Sequence, residues 1–579
     1  MSAPLGVKVK SDHRWGVLVV LCAAALIINV DNTILNVALP TLVRDLHATS
    51  SQLQWVVDSY SMVFAGLLLV SGSLADRFGR QKFFLLGLAV FGTGSIAAAF
   101  SGSVALLVPS RALMGLGAAL TIPSSLSIVN DVFRDPAQRA KAIGAWGGII
   151  GLGIAIGPIA GGLLLAHFWW GSVFLVNVPI VVAALIGTLV LVPGSKNPAV
   201  ERPDPVGVVL SVVGLGLLLW AIIEGPTQGW GSAGVIGAGL ASLIVIGAFI
   251  VWESHSAHPM LKLGLFADRR FSAALAAECL GLFGLAGALF VVTQFLQFDL
   301  GLSALQAGLR ILPMAGVLVP SALVSPVVAR LIGTKLTVAA ALAAVAGGLW
   351  QVSAASTGAT NYGDVVPGLL LIGLGAGLLL PTATNSVVGS VPQGDSGVGS
   401  AVNTMALQVG GAIGVAVVGS VLATRYQGHM GRALAGRHLP VDIVHTILGS
   451  FGGALAVAGR VGGATGALLA RAARTAFMSG LEVSFLVGAG VSLAGVVAVL
   501  IWLPARASPV PRDPPGERVI VPDYQRSDDD HGLVVTLERG NANEARRPKG
   551  EDITTTIAVR PVGAPSPLEG TRQPVPADG

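Results

Sequence analysis

Long apolar runs separated by short polar connections dominate this chain. Runs long enough to cross the hydrocarbon core of a bilayer, which takes about 20 residues, occupy 15–37, 53–73, 83–101, 104–128, 141–165, 172–193 and 206–224. They continue at 233–252, 272–298, 304–329, 336–354, 367–388, 399–424 and 480–503. The pattern predicts fourteen membrane-spanning helices and an all-α polytopic membrane protein. The first run continues from Trp15 to Val37 without a small-residue cleavage site, so it reads as a retained span rather than a signal peptide. An even number of spans places both termini on one side.

Composition agrees. Charged residues are 11% of the 579, and hydrophobic residues 53%. Mean hydropathy is +0.77. From Arg506 onward lie 10 Lys/Arg and 12 Asp/Glu, which leaves 43 charged residues before that point. So few charges cannot cover a water-facing surface. The stretch 504–579 holds 12 prolines, an Asp528–Asp530 run and almost no apolar periodicity, and is expected to be disordered. Cys22 and Cys279, both in apolar runs, make neither a zinc site nor a disulfide framework. No G-x-x-x-x-G-K-[ST] phosphate loop occurs. No cofactor and no metal are expected.

The basic residues set the orientation. One set of connections holds Lys8, Lys10, Arg14, Arg77, Arg80, Lys82, Arg134, Arg139, Lys141, Lys196, Arg202, Lys262, Arg269, Arg270, Arg330 and Lys335, while the alternate short connections hold only Arg44. A split of 16 to 1 places both termini, including residues 1–14, in the cytoplasm by the positive-inside rule. It also accounts for the basic balance without nucleic acid. Residues 425–479 face outward on this scheme although they carry Arg425, Arg432, Arg437, Arg460, Arg471 and Arg474 against Asp442. Long loops follow the charge rule poorly. The apolar segment 441–459 within them reads as re-entrant, surface-lying or spanning.

The membrane region is duplicated. Gly-Leu-Gly-Ala-Ala-Leu-Thr-Ile-Pro at 115–123 returns as Gly-Leu-Gly-Ala-Gly-Leu-Leu-Leu-Pro at 373–381, an offset of 258. The next helix in each half carries Ala-Ile-Gly, at 155–157 and at 412–414. Two six-helix bundles follow, at 15–193 and 272–503, with the pair 206–252 inserted between them. Parallel repeats of this kind place a substrate site between the halves.

A few polar residues stand inside the runs. Asp31 lies about nine residues, ~14 Å, below Pro40, and Arg111 about eight residues, ~12 Å, below Ser103. Each costs at least ~2.5–3.5 kcal/mol to embed, so the two are expected to face each other or a watery cavity. They read either as a static pair or as a proton-binding switch whose balance of desolvation and attraction changes with conformation. Glu278 reads either as functional or as locally satisfied by Arg or water. Asp58 and Glu224, near the run ends, are expected to be solvated. Phe290, Phe295 and Phe298 read as packing or lipid-facing residues.

Between the second and third runs lies Gly72-Ser-Leu-Ala-Asp76-Arg77-Phe-Gly79-Arg80-Gln-Lys82. Gly79 permits a tight turn, and Asp76 is placed to cap a neighbouring helix N-terminus. The fifth run carries Gly153, Gly157 and Gly161 at i, i+4 and i+8, with Pro158 and Gly162. Small residues at that spacing let helix backbones touch.

These motifs together resemble the major facilitator superfamily, in its 14-span drug:proton antiporter branch. The residues that carry the likeness are Asp31-Asn-Thr-Ile-Leu-Asn-Val-Ala-Leu-Pro40, the Gly72–Lys82 stretch, Arg111 with Gly115-Leu-Gly117, Gly153-x-x-x-Gly157-Pro158-x-x-Gly161-Gly162 and Phe174-Leu-Val-Asn177-Val-Pro179. The resemblance covers about 15–503. It implies that Asp31 is the proton- or cation-responsive site, that Arg111 is its coupling partner, that the Gly-Pro helix marks antiport and that the Asp76/Arg77/Arg80 stretch gates alternating access. Three positions depart from the pattern: Leu407 and Gly171 stand where relatives often have Arg, and Arg310 adds a cation to the tenth run.

The expected activity is therefore proton-coupled export of amphipathic, cationic small molecules across a bacterial plasma membrane, by a chain for which a monomer suffices. Alternatives are export of a metabolite, lipid precursor or siderophore, or a membrane sensor without flux. An enzyme is not expected, because no histidine and no convergent nucleophile or metal set is embedded in the runs.

Overall fold

A computed structural model of the chain describes residues 13–196, 204–256, 259–355, 361–391 and 396–504, together with three short strands further on. Seventeen helices follow in order among the described residues. The first nine are α1 (His13–Leu46), α2 (Ser50–Phe78), α3 (Arg80–Ala99), α4 (Val104–Val132), α5 (Pro136–His167), α6 (Ser172–Leu175), α7 (Asn177–Leu191), α8 (Pro205–Gln228) and α9 (Ala233–His255). The rest are α10 (Arg269–Gln294), α11 (Ala304–Ile332), α12 (Thr334–Ala355), α13 (Tyr362–Val388), α14 (Ser396–Leu434), α15 (Val441–Gly449), α16 (Phe451–Val461) and α17 (Gly463–Trp502). Thirteen spans long and apolar enough to cross a membrane lie among the described residues, α6 and α7 forming one of them. The 32-residue α5 has the length for a fourteenth.

Polar residues fix where helices begin. Thr49 and Gln52 form a reciprocal capping box at α2, and Ser303 and Gln306 do the same at α11. Asp135 and Asp204 cap α5 and α8, each followed by a proline at the first helical position. Inside lipid the hydrophobic effect no longer drives helices together, so close packing of small residues takes its place. The repeated glycines show this. A Cβ on Gly117 would lie 2.7 Å from the Gly87 carbonyl oxygen, and one on Gly375 would lie 2.8 Å from the Val345 amide. Both members of each contact are 258 apart, so the sequence repeat is a packing repeat.

The two bundles meet along two seams, α5 against α11 and α2 against α14. The inserted helix α8 lies in the second seam. Its Leu219 and Ile223 cluster with Ala412 and Ala416 of α14 and with Trp55 and Met62 of α2. Helix α9 packs on α8 and turns Leu243 and Ile244 outward.

Residues 425–479, read as a loop, are largely helical. Helix α14 runs on to Leu434 and α17 begins at Gly463. At 1.5 Å per residue the 39 and 40 residues of these helices reach ~60 Å, about twice the hydrocarbon thickness. The Ala- and Arg-rich stretch 464–476 is a strong helix former, which carries α17 past its apolar part. The segment 441–459 forms α15 and α16, of 9 and 11 residues, both too short to span. They break at Ser450, whose extended backbone and side chain cap α16.

In the region expected to be disordered, β1 (Asp523–Arg526), β2 (Leu533–Leu537) and β3 (Thr555–Val559) pair antiparallel in the order β1-β2-β3. Leu-Val-Val-Thr-Leu and Thr-Thr-Ile-Ala-Val are rich in β-branched residues, a local bias that composition over 76 residues hides. The rest of the expectation for 505–579, like that for residues 1–12, lies outside the described residues.

Candidate functional site

Asp31 and Arg111 meet. Arg111 Nη1 donates to Asp31 Oδ2 at 2.5 Å, and both side chains are fully buried. Asn177 Nδ2 donates to Asp31 Oδ1 at 2.8 Å and also reaches Ser95 Oγ at 3.2 Å. Both carboxylate oxygens are thus occupied, one by a guanidinium and one by an amide. Four helices converge here: α1, α3, α4 and α7.

The guanidinium is held on three sides. Arg111 Nε donates to the Val56 carbonyl at 3.2 Å, the Tyr60 ring lies 4.6 Å from its central carbon and the Phe174 ring 5.8 Å. Among the described residues its Nη2 has no partner, nor has Asn177 Oδ1. The other supports that the structure gives Arg111 are neutral, so Asp31 is its counter-charge.

Glu278 does not join this pair. The repeat offset places it opposite Val20, eleven residues or ~16 Å along α1 from Asp31. It is fully buried, and its Oε1 accepts from Thr384 Oγ1 of α13 at 2.5 Å. Asn403 Nδ2 of α14 approaches the same hydroxyl at 3.4 Å. Glu278 Oε2 has no protein partner among the described residues. The neighbour that the structure gives its carboxylate is a hydroxyl.

Asp58 corrects the expectation of a solvated acid. It is fully buried on α2, with no hydrogen-bond partner at either carboxylate oxygen among the described residues. Helix α2 begins at Ser50, three residues before the apolar run, and packs against α4, α14 and α8. One turn away, Gln54 Oε1 accepts from Ser420 Oγ of α14 at 3.2 Å. Glu224 is half-buried and accepts from Trp55 Nε1 at 3.1 Å and Thr227 Oγ1 at 2.8 Å.

The Gly72–Lys82 stretch is less of a loop than expected. Helix α2 continues through Asp76 and Arg77 to Phe78, α3 begins at Arg80, and Gly79 alone separates them with φ +127°. Such a φ favours glycine. Asp76 does not cap a helix N-terminus; it accepts from Arg80 Nε at 2.6 Å, while Arg80 Nη1 reaches Asp131 of α4 at 3.2 Å. Arg77 lies over the Phe78 ring, and Gly72 faces Pro123.

The glycines of α5 split between two neighbours. A Cβ on Gly153 would lie 2.9 Å from that of Asn29, one on Gly157 would overlap Thr33, and one on Gly161 would lie 2.8 Å from the Ile34 side chain. Thr33 Oγ1 also donates to the Gly153 carbonyl at 3.0 Å. This stripe faces α1. Gly162 and Pro158 instead face α11 of the other half, where they meet Leu305 and Gly308. Between α1, α5, α10 and α11 a cavity of about 10 Å³ is left, lined by Thr33, Asn36, Pro158, Thr293 and Met314 among others. Gln297, in a π-turn (Phe295–Asp299), bridges the halves there through Nε2 to the Val37 carbonyl at 2.9 Å.

Sequence reading missed Asn177 as a ligand of Asp31, although it stands in the quoted Phe-Leu-Val-Asn-Val-Pro stretch, and it missed Tyr60, Ser95 and Thr384. Lone polar residues inside apolar runs were the available signal. Phe290 and Phe295 are buried in the core, and Phe298 packs on Phe451. Arg310 lies over Tyr362, whose hydroxyl donates to the Arg310 carbonyl at 2.8 Å.

A family model described as the Major Facilitator Superfamily matches residues 21–415. The multidrug efflux pump LfrA of Mycolicibacterium smegmatis is 37% identical over 84% of this chain and 96% of its own length. The tetracenomycin C resistance and export protein of Streptomyces glaucescens is 32% identical over 86% of this chain and 93% of its own. Among solved structures, a bacterial homologue of the human lysosomal transporter Spinster, inward-facing and unoccupied, aligns with a TM-score of 0.60. It is 16% identical and covers 86% of this chain and all of that one, a likeness of fold.

Proposed function

The chain belongs to the Major Facilitator Superfamily, and from that premise we propose that it is a proton-coupled antiporter exporting amphipathic, cationic small molecules by alternating access between its two six-helix halves. It resides in a bacterial plasma membrane with both termini in the cytoplasm, and a monomer suffices. The relatives named for multidrug efflux and for tetracenomycin C resistance and export support a small-molecule substrate. The 16-to-1 distribution of basic residues supports the orientation.

The observation that carries the coupling is the buried Asp31–Arg111 pair, whose carboxylate is also bound by Asn177. Protonation of Asp31 on the outer side removes the counter-charge of Arg111, and the guanidinium then rebinds elsewhere or draws α4 away from α1. That rearrangement releases substrate outward. Loss of the proton on the inner side restores the pair and the affinity for a cation. Glu278, ~16 Å away along the bundle, is a second proton or substrate site on the cytoplasmic half. The Asp76–Arg80–Asp131 cluster gates the cytoplasmic ends of α2, α3 and α4. The Gly153/Gly157/Gly161 stripe and Pro158/Gly162 form the antiporter helix that touches both α1 and α11.

The test is dye efflux in energised inverted vesicles carrying the full chain, comparing wild type with Asp31→Asn. Transport driven by ΔpH in wild type and lost in the variant supports the reading. Equal transport by both would reduce the pair to a structural one.

A further inference from the structure

A groove of about 420 Å³ lies between the N-terminal part of α10 and the C-terminal part of α17. Its volume falls in the range of small-molecule sites. Its walls are small and apolar: Ala276, Leu280 and Gly495 among them. Its mouth is different in kind, formed by Arg269 with Phe266 and Trp502. Both aromatic rings are exposed, which is where an aromatic belt meets the bilayer interface.

The dimensions match one leaflet. Arg269 to Leu280 is eleven residues, ~16 Å of helix, against ~15 Å for half of the hydrocarbon core. The charge also points one way. Arg269 is exposed and has no ion-pair partner among the described residues, and the adjacent acid, Asp268, is occupied in capping α10 through the Arg270 amide at 2.7 Å. The mouth opens at the end of the bundle that carries Arg77, Arg80 and Lys335, which on the proposed orientation is the cytoplasmic side, where membranes expose anionic lipids.

We propose that this groove binds one acyl chain of an anionic glycerophospholipid, with its phosphate on Arg269 and its glycerol region between Phe266 and Trp502. The floor of the groove includes Ala277, next in sequence to Glu278, so the bound chain supports from behind the helical turn that holds that carboxylate.

Native mass spectrometry of the full chain, released from nanodiscs of phosphatidylglycerol or of phosphatidylcholine with the same acyl chains, tests this. Wild type is expected to retain one more phosphatidylglycerol than phosphatidylcholine. Arg269→Gln is expected to weaken that retention about fivefold, the factor carried by one interfacial cation. Ala276→Phe, which fills the groove from its lipid-facing side, is expected to remove the bound lipid whatever its headgroup. Arg270→Gln, one residue along but outside the groove, is expected to leave it in place. Equal retention of the two lipids, undiminished retention by both groove variants, or an equal loss in Arg270→Gln would each overturn the proposal. So would displacement of the lipid by an exported cationic dye, which would make the groove a substrate vestibule.

Discussion

Asp31 and Asp58, on successive helices of one half, are both fully buried, yet among the described residues only Asp31 has partners for its carboxylate oxygens. The two acids therefore differ in what their removal leaves behind. Asp31→Asn breaks a buried ion pair and strands Arg111, a loss of about 3–5 kcal/mol when one partner of such a pair is removed. Asp58→Asn keeps the shape, breaks no bond seen in the structure and removes a carboxylate that nothing compensates. Thermal unfolding of the purified chain is expected to show a lower midpoint for Asp31→Asn and an unchanged or higher one for Asp58→Asn. The opposite order would assign the structural bond to Asp58.

Arg111→Lys keeps the charge and loses the geometry. The guanidinium reaches Asp31, the Val56 carbonyl and the Tyr60 ring at once, through different edges of one plane. An ammonium is a point charge on a flexible stem and cannot hold all three. ΔpH-driven dye efflux is therefore expected to fall at least tenfold, with expression near that of wild type. Efflux close to wild type would mean that charge alone, without the planar contacts, is enough for coupling.

Most of the fold was legible because lipid imposes a simple rule. Every spanning segment must satisfy its own backbone, so length and apolar composition nearly suffice to place helices. The repeat between 115–123 and 373–381 was legible too, and its meaning lies in Gly117 and Gly375 pressing on equivalent neighbours. Depth alone put Asp31 and Arg111 at one level, facing each other or a watery cavity, and the structure gives the first. What stayed hidden depends on which way a helix faces. Asp58 stands near a run end and reads as solvated, but α2 packs against α4, α14 and α8 and Asp58 is buried, and no single-helix pattern carries that information. Glu278 and Thr384 are 106 residues apart. Helices α14 and α17 continue beyond the bilayer on propensity and packing, which a search for apolar runs stops short of.

Gly308 is the clearest position that no motif flagged. A Cβ there would overlap the Pro158 carbonyl across the α5–α11 seam, and one on Gly162 would lie 2.6 Å from the Leu305 Cα. A side chain at either point meets backbone, which cannot give way as a side-chain tip can. Overpacking of about 1–3 kcal/mol applies to the state in which this seam is shut, a 5- to 150-fold change in its population. Gly308→Val and Gly162→Val are expected to lose most efflux. Gly316→Ala, on the same helix with open space around it, is expected to transport normally. Equal activity in all three variants would show that the seam does not need to close.

The α15–α16 hairpin touches both halves at the end of the bundle away from His13 and Trp502. Phe451 stacks on Phe477 with ring centres 4.5 Å apart and meets Phe298 at 5.8 Å, while Gly452 faces Val43 of α1. Arg474 adds an ion pair to Asp299 at 2.8 Å. A Cβ on Gly449 would lie 3.8 Å from that of Thr49, which matches the mean separation across a disulfide, about 3.8 Å. The double substitution Thr49→Cys and Gly449→Cys is therefore expected to form a disulfide under mild oxidation, visible as a mobility shift reversed by a reductant. The loss of the Thr49 cap costs ~1 kcal/mol and leaves the fold intact. Since the far ends of the halves must part for substrate to leave, the oxidised protein is expected to stop transporting and the reduced one to resume. Full efflux by the cross-linked form would mean that the hairpin travels with α1 and α2 rather than across the gap. The exit would then lie elsewhere around the rim.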